Sequence, residues 1–379
     1  MLAEKPIMGW NSWNTFGKDI NEELICQIAD IMCEDGYKDA GYEYVIIDDC
    51  WALTYRVDGK LEPNPELFPH GMKYVADYIH SKGLKFGIYS CAGTTTCAGF
   101  PSSYGYEFED AKQFASWGVD YLKYDFCNFP ESGDCKNAYL TMAMALRNSG
   151  RDIVFAACNW GVEDPAKWMR SHGGHTYRST DDILDNRKSY TNIFLSQIHN
   201  VEGNGPGCYN DMDMLVVGMH AKGNVGLGGC TSEEYLQHFA FWSFLGSPLI
   251  IGADIRNIPE EDKKTLLNKG LIAINQDSAC RPPFIISSDI GFHNKGYHKF
   301  MRILSDGRFA VMLVNTNEEN NDWGDWQQVN FDDCGIHSNT SRKIKVTDAV
   351  SGEELGEFEN YIRVKLDAGQ YRVFVCELC

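Results

Sequence analysis

The chain has 379 residues and a mass of 42.8 kDa, more than one hydrophobic core usually serves, so a large domain followed by a smaller one is expected. Its 44% hydrophobic and 13% aromatic content is that of an ordinary globular protein and excludes a disordered or low-complexity chain. A formal net charge of -19 with a pI near 4.9 argues against nucleic acid or an anionic membrane as partner, because both demand clustered Lys and Arg, and favours a neutral substrate.

No run of about 18 consecutive apolar residues occurs, so no helix is expected to span a bilayer. The opening MLAEKPIMGWNSW lacks the basic start, apolar middle and small-residue cleavage site of a signal peptide, which points to a cytoplasmic location. The 14 cysteines are scattered, with no CxxC pair and no zinc spacing, so most are expected to be buried thiols.

Short apolar runs recur along the chain, each closed by a polar or aromatic cluster and followed by a stretch of helical spacing. The strand-like runs are PIMGW (6–10), YEYVIID (42–48), LKFGIY (84–89), VDYLKYD (119–125), IVFAAC (153–158), HTYRS (175–179), a short one near DMLVVG (213–218), and PLIIG (248–252). Between them Leu24, Ile25, Ile28 and Met32 share one helix face, as do Met72, Val75, Ala76 and Ile79. Alternating β and α predicts a parallel sheet, and eight repeats predict a closed (β/α)₈ barrel, the TIM-barrel form of the α/β class. An open doubly wound sheet would carry a Gly-rich phosphate turn after its first strand; GWNSW stands there instead.

Past about residue 285 the rhythm changes. KFMRILSDGRFAVMLVNTN holds two strand-like runs joined by the hairpin signal Asp306-Gly307, and WQQVNF, RKIKVTDAV, YIRVKLD and QYRVFVCEL have β-branched and aromatic residues without helical period. Residues 1–284 are therefore expected to form the barrel, and residues 285–379 a C-terminal antiparallel β-sandwich.

Function in such a barrel gathers at the C-terminal ends of the strands. Those positions hold Trp10 and Trp13, Asp48 and Asp49 with Trp51, Tyr89, Lys123 with Asp125, Cys158 with Trp160, Arg178 with Asp182, and Asp213. A single Asp after a strand is usually a helix cap or turn former, and Asp181 is read that way. Trp117 and Trp168, inside helical segments, are read as packing. Carboxylates at four strand ends, with aromatics between them, point to a sugar site instead: rings stack on Trp and Tyr, while Asp, Lys and Arg hold hydroxyls. No His set follows the first four strands, so a hydrolytic metal is not expected, and no cofactor is implied.

The motifs MGWNSW, IIDDCW, TTTCAGFP, YLKYDFC, CNWG, RSTDDI and NDMDM, in that order and spacing, resemble the family 27 glycoside hydrolases, which include α-galactosidases and α-N-acetylgalactosaminidases. The resemblance covers nearly the whole barrel. It implies a (β/α)₈ barrel with a C-terminal antiparallel β domain and a retaining exo-glycosidase acting on terminal α-D-galactosyl groups of oligosaccharides or glycoconjugates. Asp125 matches the family's nucleophile and Asp182 its general acid/base. Trp13, Asp48, Asp49, Tyr89, Cys97, Lys123, Cys127, Cys158, Trp160, Arg178, Asp213 and Met214 match positions lining the galactose pocket. In a retaining enzyme the two carboxyls stand roughly 5 to 5.5 Å apart, and Asp182 must begin protonated while Asp125 is charged. Lys123, on the same strand face as Asp125, favours that charge.

The resemblance also frames specificity. Asp48 and Asp49 match residues that bind the 4- and 6-hydroxyls, and relatives preferring β-L-arabinopyranose replace one of them with a bulkier residue. The sugar 2-position is read near CNWG, by Glu in α-galactosidases and by a small residue in α-N-acetylgalactosaminidases; here Asn159 occupies it, with Val162 nearby. Both relatives' activities are thus alternatives on this scaffold. Cys97 and Cys127 match a disulfide at the pocket edge, whereas Lys18 stands where the usual partner of Cys50 would be, so Cys50 is expected to be a thiol or to pair elsewhere. Met212 replaces a Pro of relatives, and Asn339-Thr340-Ser341 is a glycosylation sequon.

Overall fold

The computed structural model describes residues 1–201, 203–287, 296–320, 325–337 and 342–379. Its first compact unit comprises Met1–Trp242 with Ser247–Leu267. Eight strands run through it: β1 (Met8–Asn11), β2 (Tyr44–Ile46), β3 (Lys85–Cys91), β4 (Tyr121–Asp125), β5 (Val154–Cys158), β6 (Thr176–Arg178), β7 (Tyr209–Asp211) and β8 (Leu249–Ile251). From β1 to β7 each strand bonds its sequence neighbours in parallel, and β8 pairs with β1. Leu215, just past β7, completes the ring: its N–H donates to the Ile250 carbonyl at 2.7 Å and its carbonyl accepts from Gly252 at 2.9 Å. The expected (β/α)₈ barrel is present.

Seven strands fall where the apolar runs placed them; the seventh does not. It is Tyr209–Asp211, upstream of the predicted 213–218. The run from Met214 to Val217 is buried, but a left-handed backbone at Asp213, φ 79°, turns the chain before it, and only Leu215 enters the sheet. The true strand escapes a hydrophobicity reading because its middle residue is buried Asn210, whose amide donates to Gln197 Oε1 at 2.9 Å and whose N–H donates to Asn204 Oδ1 at 2.7 Å.

The helices follow their sequence signals. Asn21, Asp134 and Asn186 each accept from the backbone N–H three residues on, capping Glu22–Glu34, Cys135–Arg147 and Arg187–Gln197. Glu22–Glu34 buries Leu24, Ile25, Ile28, Ala29 and Met32, and Gly71–Ser81 buries Met72, Val75, Ala76 and Ile79, so the predicted faces are the packed ones. Trp117 lies edge-on to Trp51 at 5.7 Å and Trp168 packs against Tyr139; both serve packing.

The second unit comprises Ser243–Gly246 with Asn268–Cys379, so the packing break comes before the helix Lys269–Asn275, earlier than the change of rhythm near residue 285. Its strands are β9 (Phe284–Ser287), β10 (Tyr297–Ile303), β11 (Phe309–Asn315), β12 (Trp326–Asn330), β13 (Ile344–Asp348), β14 (Glu354–Phe358), β15 (Tyr361–Lys365) and β16 (Tyr371–Leu378). A six-stranded antiparallel sheet, β14-β13-β16-β11-β10-β9, carries Val311, Leu313, Val346 and Phe374; these pack against Val329 and Ile362 of the β12-β15 pair. Asp306-Gly307 turns between β10 and β11 with Gly307 at φ 85°, as its dipeptide predicts. The sequon Asn339-Thr340-Ser341 lies outside the described residues.

Candidate active site

Alternation along a strand decides which side chains reach the barrel mouth. On β4 the side chains of Lys123 and Asp125 line a cleft, while Tyr124 between them is buried against Tyr139 and Phe155 on the other side. The cleft is walled by Trp13, Asn14, Asp48, Asp49, Tyr89, Cys97, Lys123, Asp125, Cys158, Trp160, Arg178, Asp182, Asp213, Met214 and Val225. Every residue predicted for the site lines it except Cys127, which is bonded to Cys97 across a Cα–Cα distance of 5.0 Å. Trp10 and Trp51 stand behind the wall, Trp51 donating its indole N–H to the Tyr89 carbonyl at 3.0 Å and Trp10 donating to Ala253 at 2.8 Å.

Two lining residues carried no sequence signal. Asn14 sits in the one-turn helix Trp13–Phe16. Val225 is held over the mouth by a Gly-rich loop, where its carbonyl accepts from Asp185 at 2.9 Å and neighbouring Asn224 donates its backbone N–H to Asn14 at 2.8 Å.

Two charged clusters face each other across the cleft. In the first, Asp48 Oδ2 accepts from Lys123 Nζ at 2.7 Å and from Asn11 Nδ2 at 2.8 Å, and Oδ1 accepts the Asp49 N–H at 2.9 Å. Asp49 in turn accepts backbone N–H groups of Cys50 at 2.7 Å and Ala98 at 3.0 Å, and burial pushes its pKa up. A carboxylate has about four acceptor positions, so this pair is fixed by backbone yet keeps lone pairs for hydroxyls. Burial works against the Lys123 ammonium, but Asp48, with Cys158 and Asp125 behind it, outweighs that and holds its pKa well above the usual range.

Asp125, at the end of β4, is 5% exposed. Its Oδ1 accepts the Phe126 N–H at 2.8 Å. Burial raises its pKa to about 6, opposed by Lys123, the Phe126 N–H and Arg178. It is therefore ionised at pH 7, but at a cost. A carboxyl held near 6 rather than 3.8 destabilises the folded state by about 3 kcal/mol once ionised. The raised folded-state pKa means this cost is absent below the unfolded value and grows as pH rises through 6. Asp125→Asn is thus expected to melt above the parent at pH 7 by about 1–3 kcal/mol, a margin that vanishes near pH 4; thermal melts across that range check it, and equal margins at both pH values would contradict the assignment of cost.

The second cluster centres on Arg178, buried at the end of β6. Its guanidinium meets Asp182 Oδ1 at 2.7 Å and Asp213 Oδ2 at 2.9 Å. Burial lowers its pKa, and Asp213 and the other carboxylates more than restore it. Asp213 also accepts N–H groups of Ile183 and Met214, both at 2.7 Å, which locks the loop bearing Asp182. The Asp182 side chain itself is 70% exposed. Trp160, at φ 54°, holds a left-handed backbone that costs a bulky residue roughly 1–3 kcal/mol and marks functional positions.

Asn159 does not read the pocket. It is fully buried, and its amide donates to the Val162 carbonyl at 2.8 Å and to Cys135 Sγ at 3.6 Å. The reason is alternation: Cys158 faces the cleft, so the next residue points away. Cys50 is a buried thiol, as its missing partner implied, and burial with Asp49 and Asp48 pushes its pKa to about 12, which leaves it unreactive. Among the described residues the one acidic, His or Cys trio close enough for a metal is Cys97, Asp125 and Cys127. Two of those sulfurs are bonded to each other and offer no thiolate.

Residues 5–277 match the family model described as alpha galactosidase A. The chain belongs to that family. It is 48% identical over 317 residues to an alpha-galactosidase of Cyamopsis tetragonoloba, covering 83% of this chain and 73% of the relative. It is 41% identical over 339 residues to alpha-galactosidase A of Cellvibrio japonicus, covering 86% and 80%. The crystal structure of alpha-galactosidase I from Mortierella vinacea superposes with a TM-score of 0.89 at 36% identity, over 99% of this chain and 97% of that one. In the cleft Asp48, Asp49 and Lys123 thus form one hydrogen-bonded cluster and Arg178, Asp182 and Asp213 another, with Asp125 lining it as well.

Lys123 bonds Asp48 and acts through its charge on Asp125, and its removal has a signed consequence. It lowers the pKa of Asp125, so Lys123→Met should move the acid limb of the kcat/KM profile upward by about one pH unit or more. An unchanged limb with a uniform loss of rate would mean that Lys123 acts only by holding Asp48.

Proposed function

We propose that the chain hydrolyses terminal α-D-galactosides with retention, Asp125 attacking the anomeric carbon and Asp182 serving the leaving oxygen. Family membership supports the activity, and the single observation that carries the roles is the contrast between the two carboxyls of one cleft. Asp125 is buried and ionised beside a lysine; Asp182 is open to solvent over Arg178. A nucleophile needs a fixed, poorly solvated charge, whereas an acid/base must exchange protons with leaving group and water. In the first step the Asp125 oxygen bonds to the anomeric carbon as the glycosidic C–O bond breaks and Asp182 gives its proton to the departing oxygen. In the second, Asp182 takes a proton from water, which displaces Asp125. The carboxylates of Asp48, Asp49, Asp125 and Asp213 outnumber the cations Lys123 and Arg178 in the cleft, and this excess of negative charge favours the positive character that the sugar acquires.

The sugar identity rests on Asp48 and Asp49, both retained and both fixed by backbone donors. Asn159 is buried behind the wall, so control of the 2-position is assigned to its cleft-lining neighbours Cys158 and Trp160. Initial rates on the p-nitrophenyl α-D-galactopyranoside, the α-N-acetylgalactosaminide and the β-L-arabinopyranoside decide between the readings. The galactoside is expected to lead by at least about a hundredfold, as for sites that hydrogen-bond the discriminating group; a faster rate on either rival overturns the sugar assignment.

A further inference from the structure

At the starts of β5 and β6, the end of the barrel away from the cleft, lies a second hollow of about 550 Å³. Arg147, Arg151 and Arg170 line it, together with His175 and a single carboxylate, Asp152. Cations are thus gathered at one place in a chain whose formal net charge is -19.

Two of the arginines have structural tasks. Arg151 pairs with Asp120 and donates to the Val119 carbonyl at 2.8 Å. Arg170 donates to the carbonyls of Gly203, Gly205, Pro206 and Cys208 at 2.9–3.2 Å; these acceptors are neutral, so its charge is held in place without being cancelled. Arg147, the last residue of the helix Cys135–Arg147, is different. Its guanidinium has neither an ion pair nor a hydrogen bond among the described residues. It lies over Gly173, where a Cβ would stand 2.9 Å from Nη2 and where φ is 87°, a backbone that favours glycine. The chain makes room there for a cation that no protein group uses.

His175 adds a donor. Its Nδ1 accepts the Phe155 N–H at 2.9 Å, and burial with the Arg147 charge lowers its pKa to about 4, so at pH 7 the ring is neutral and carries its hydrogen on Nε2. That N–H has no partner among the described residues. A guanidinium fork and an imidazole N–H, both unpaired, with further guanidinium charge beside them, suit a tetrahedral oxyanion, which offers several acceptor oxygens at once.

We propose that this hollow binds a phosphate group, held by Arg147 and the His175 Nε2–H in the field of Arg151 and Arg170. The test is calorimetric titration with inorganic phosphate against sodium chloride of equal ionic strength, on the parent, Arg147→Gln and Asp152→Asn. Both positions are exposed, so neither change disturbs the core. Phosphate is expected to bind the parent saturably, and Arg147→Gln about tenfold more weakly, as for one lost charge-assisted contact. Asp152→Asn is expected to bind roughly two- to fivefold more tightly, because a like charge is removed. Galactose leaves the affinity unchanged, since the cleft opens at the other end of the strands. Phenyl phosphate binding more tightly than inorganic phosphate assigns the site to phosphomonoesters; otherwise it belongs to the free anion. No saturable binding beyond the chloride control, equal affinity in all three proteins, or competition by galactose overturns the proposal.

Discussion

Asp125→Gly is expected to reduce turnover of α-galactosides by roughly 10⁴-fold or more, a loss typical of removing a covalent nucleophile, and to regain rate when azide is added. The glycine leaves a space beside Lys123 that a small anion fills, and azide then attacks the anomeric carbon from the face that Asp125 used. One displacement replaces two, so the product is β-galactosyl azide. The result depends on Asp125 lying under the sugar, buried, with the Phe126 N–H and Lys123 to hold charge. Rate on an activated galactoside, with the anomer assigned by NMR, checks it. No rescue, or an α-azide, would place the nucleophile elsewhere.

Asp182→Ala is expected to behave in the opposite sense. General acid–base assistance is worth about 10²–10⁴-fold, so hydrolysis of a poor leaving group such as a sugar should fall by that amount, while a nitrophenyl leaving group, needing less protonation, loses less in the first step. The glycosyl-enzyme then accumulates because no base activates water. Azide needs no base and releases it from the α face, giving α-galactosyl azide. Asp182 is 70% exposed, so the substitution leaves no cavity in the core. It removes one of the two carboxylates at Arg178, whose pairing with Asp213 remains. Equal losses for sugar and nitrophenyl leaving groups, with no azide effect, would mean that Asp182 acts only by positioning Arg178.

Most of the barrel was legible because its strands are buried on both faces and therefore appear as apolar runs. β7 was not, since a three-residue strand centred on buried Asn210 satisfies its polar atoms through Gln197 and Asn204, partners that only the tertiary fold supplies. The site was legible where motif and alternation agree: Lys123 and Asp125 two residues apart on one face, Asp48 and Asp49 at the end of β2. It was not legible at Asn159, where the motif names a position but alternation turns the side chain into the core. Asn14 and Val225 were missed because their place in the wall comes from a loop folding back over the mouth. The exposure of Asp182 also lay outside the sequence, which located a second carboxyl without its surroundings.

The cost of burying Asp125 has a functional reading. A carboxylate fully solvated at this position would fold more easily and attack more slowly; Asp125, 5% exposed, is an anion stabilised by Lys123, Arg178 and one N–H. Holding that anion ready is where stability is given up for reactivity, as is common for groups that must react.

The central claim, that Asp125 forms the covalent bond to galactose, is tested most directly by incubating the protein with a fluorinated galactosyl fluoride whose glycosyl-enzyme hydrolyses slowly, then mapping the added mass by peptide sequencing. The account predicts one label per chain, on Asp125, blocked by prior binding of galactose. A label on Asp182, Asp213 or Asp48, or inactivation without any covalent mass, would contradict it.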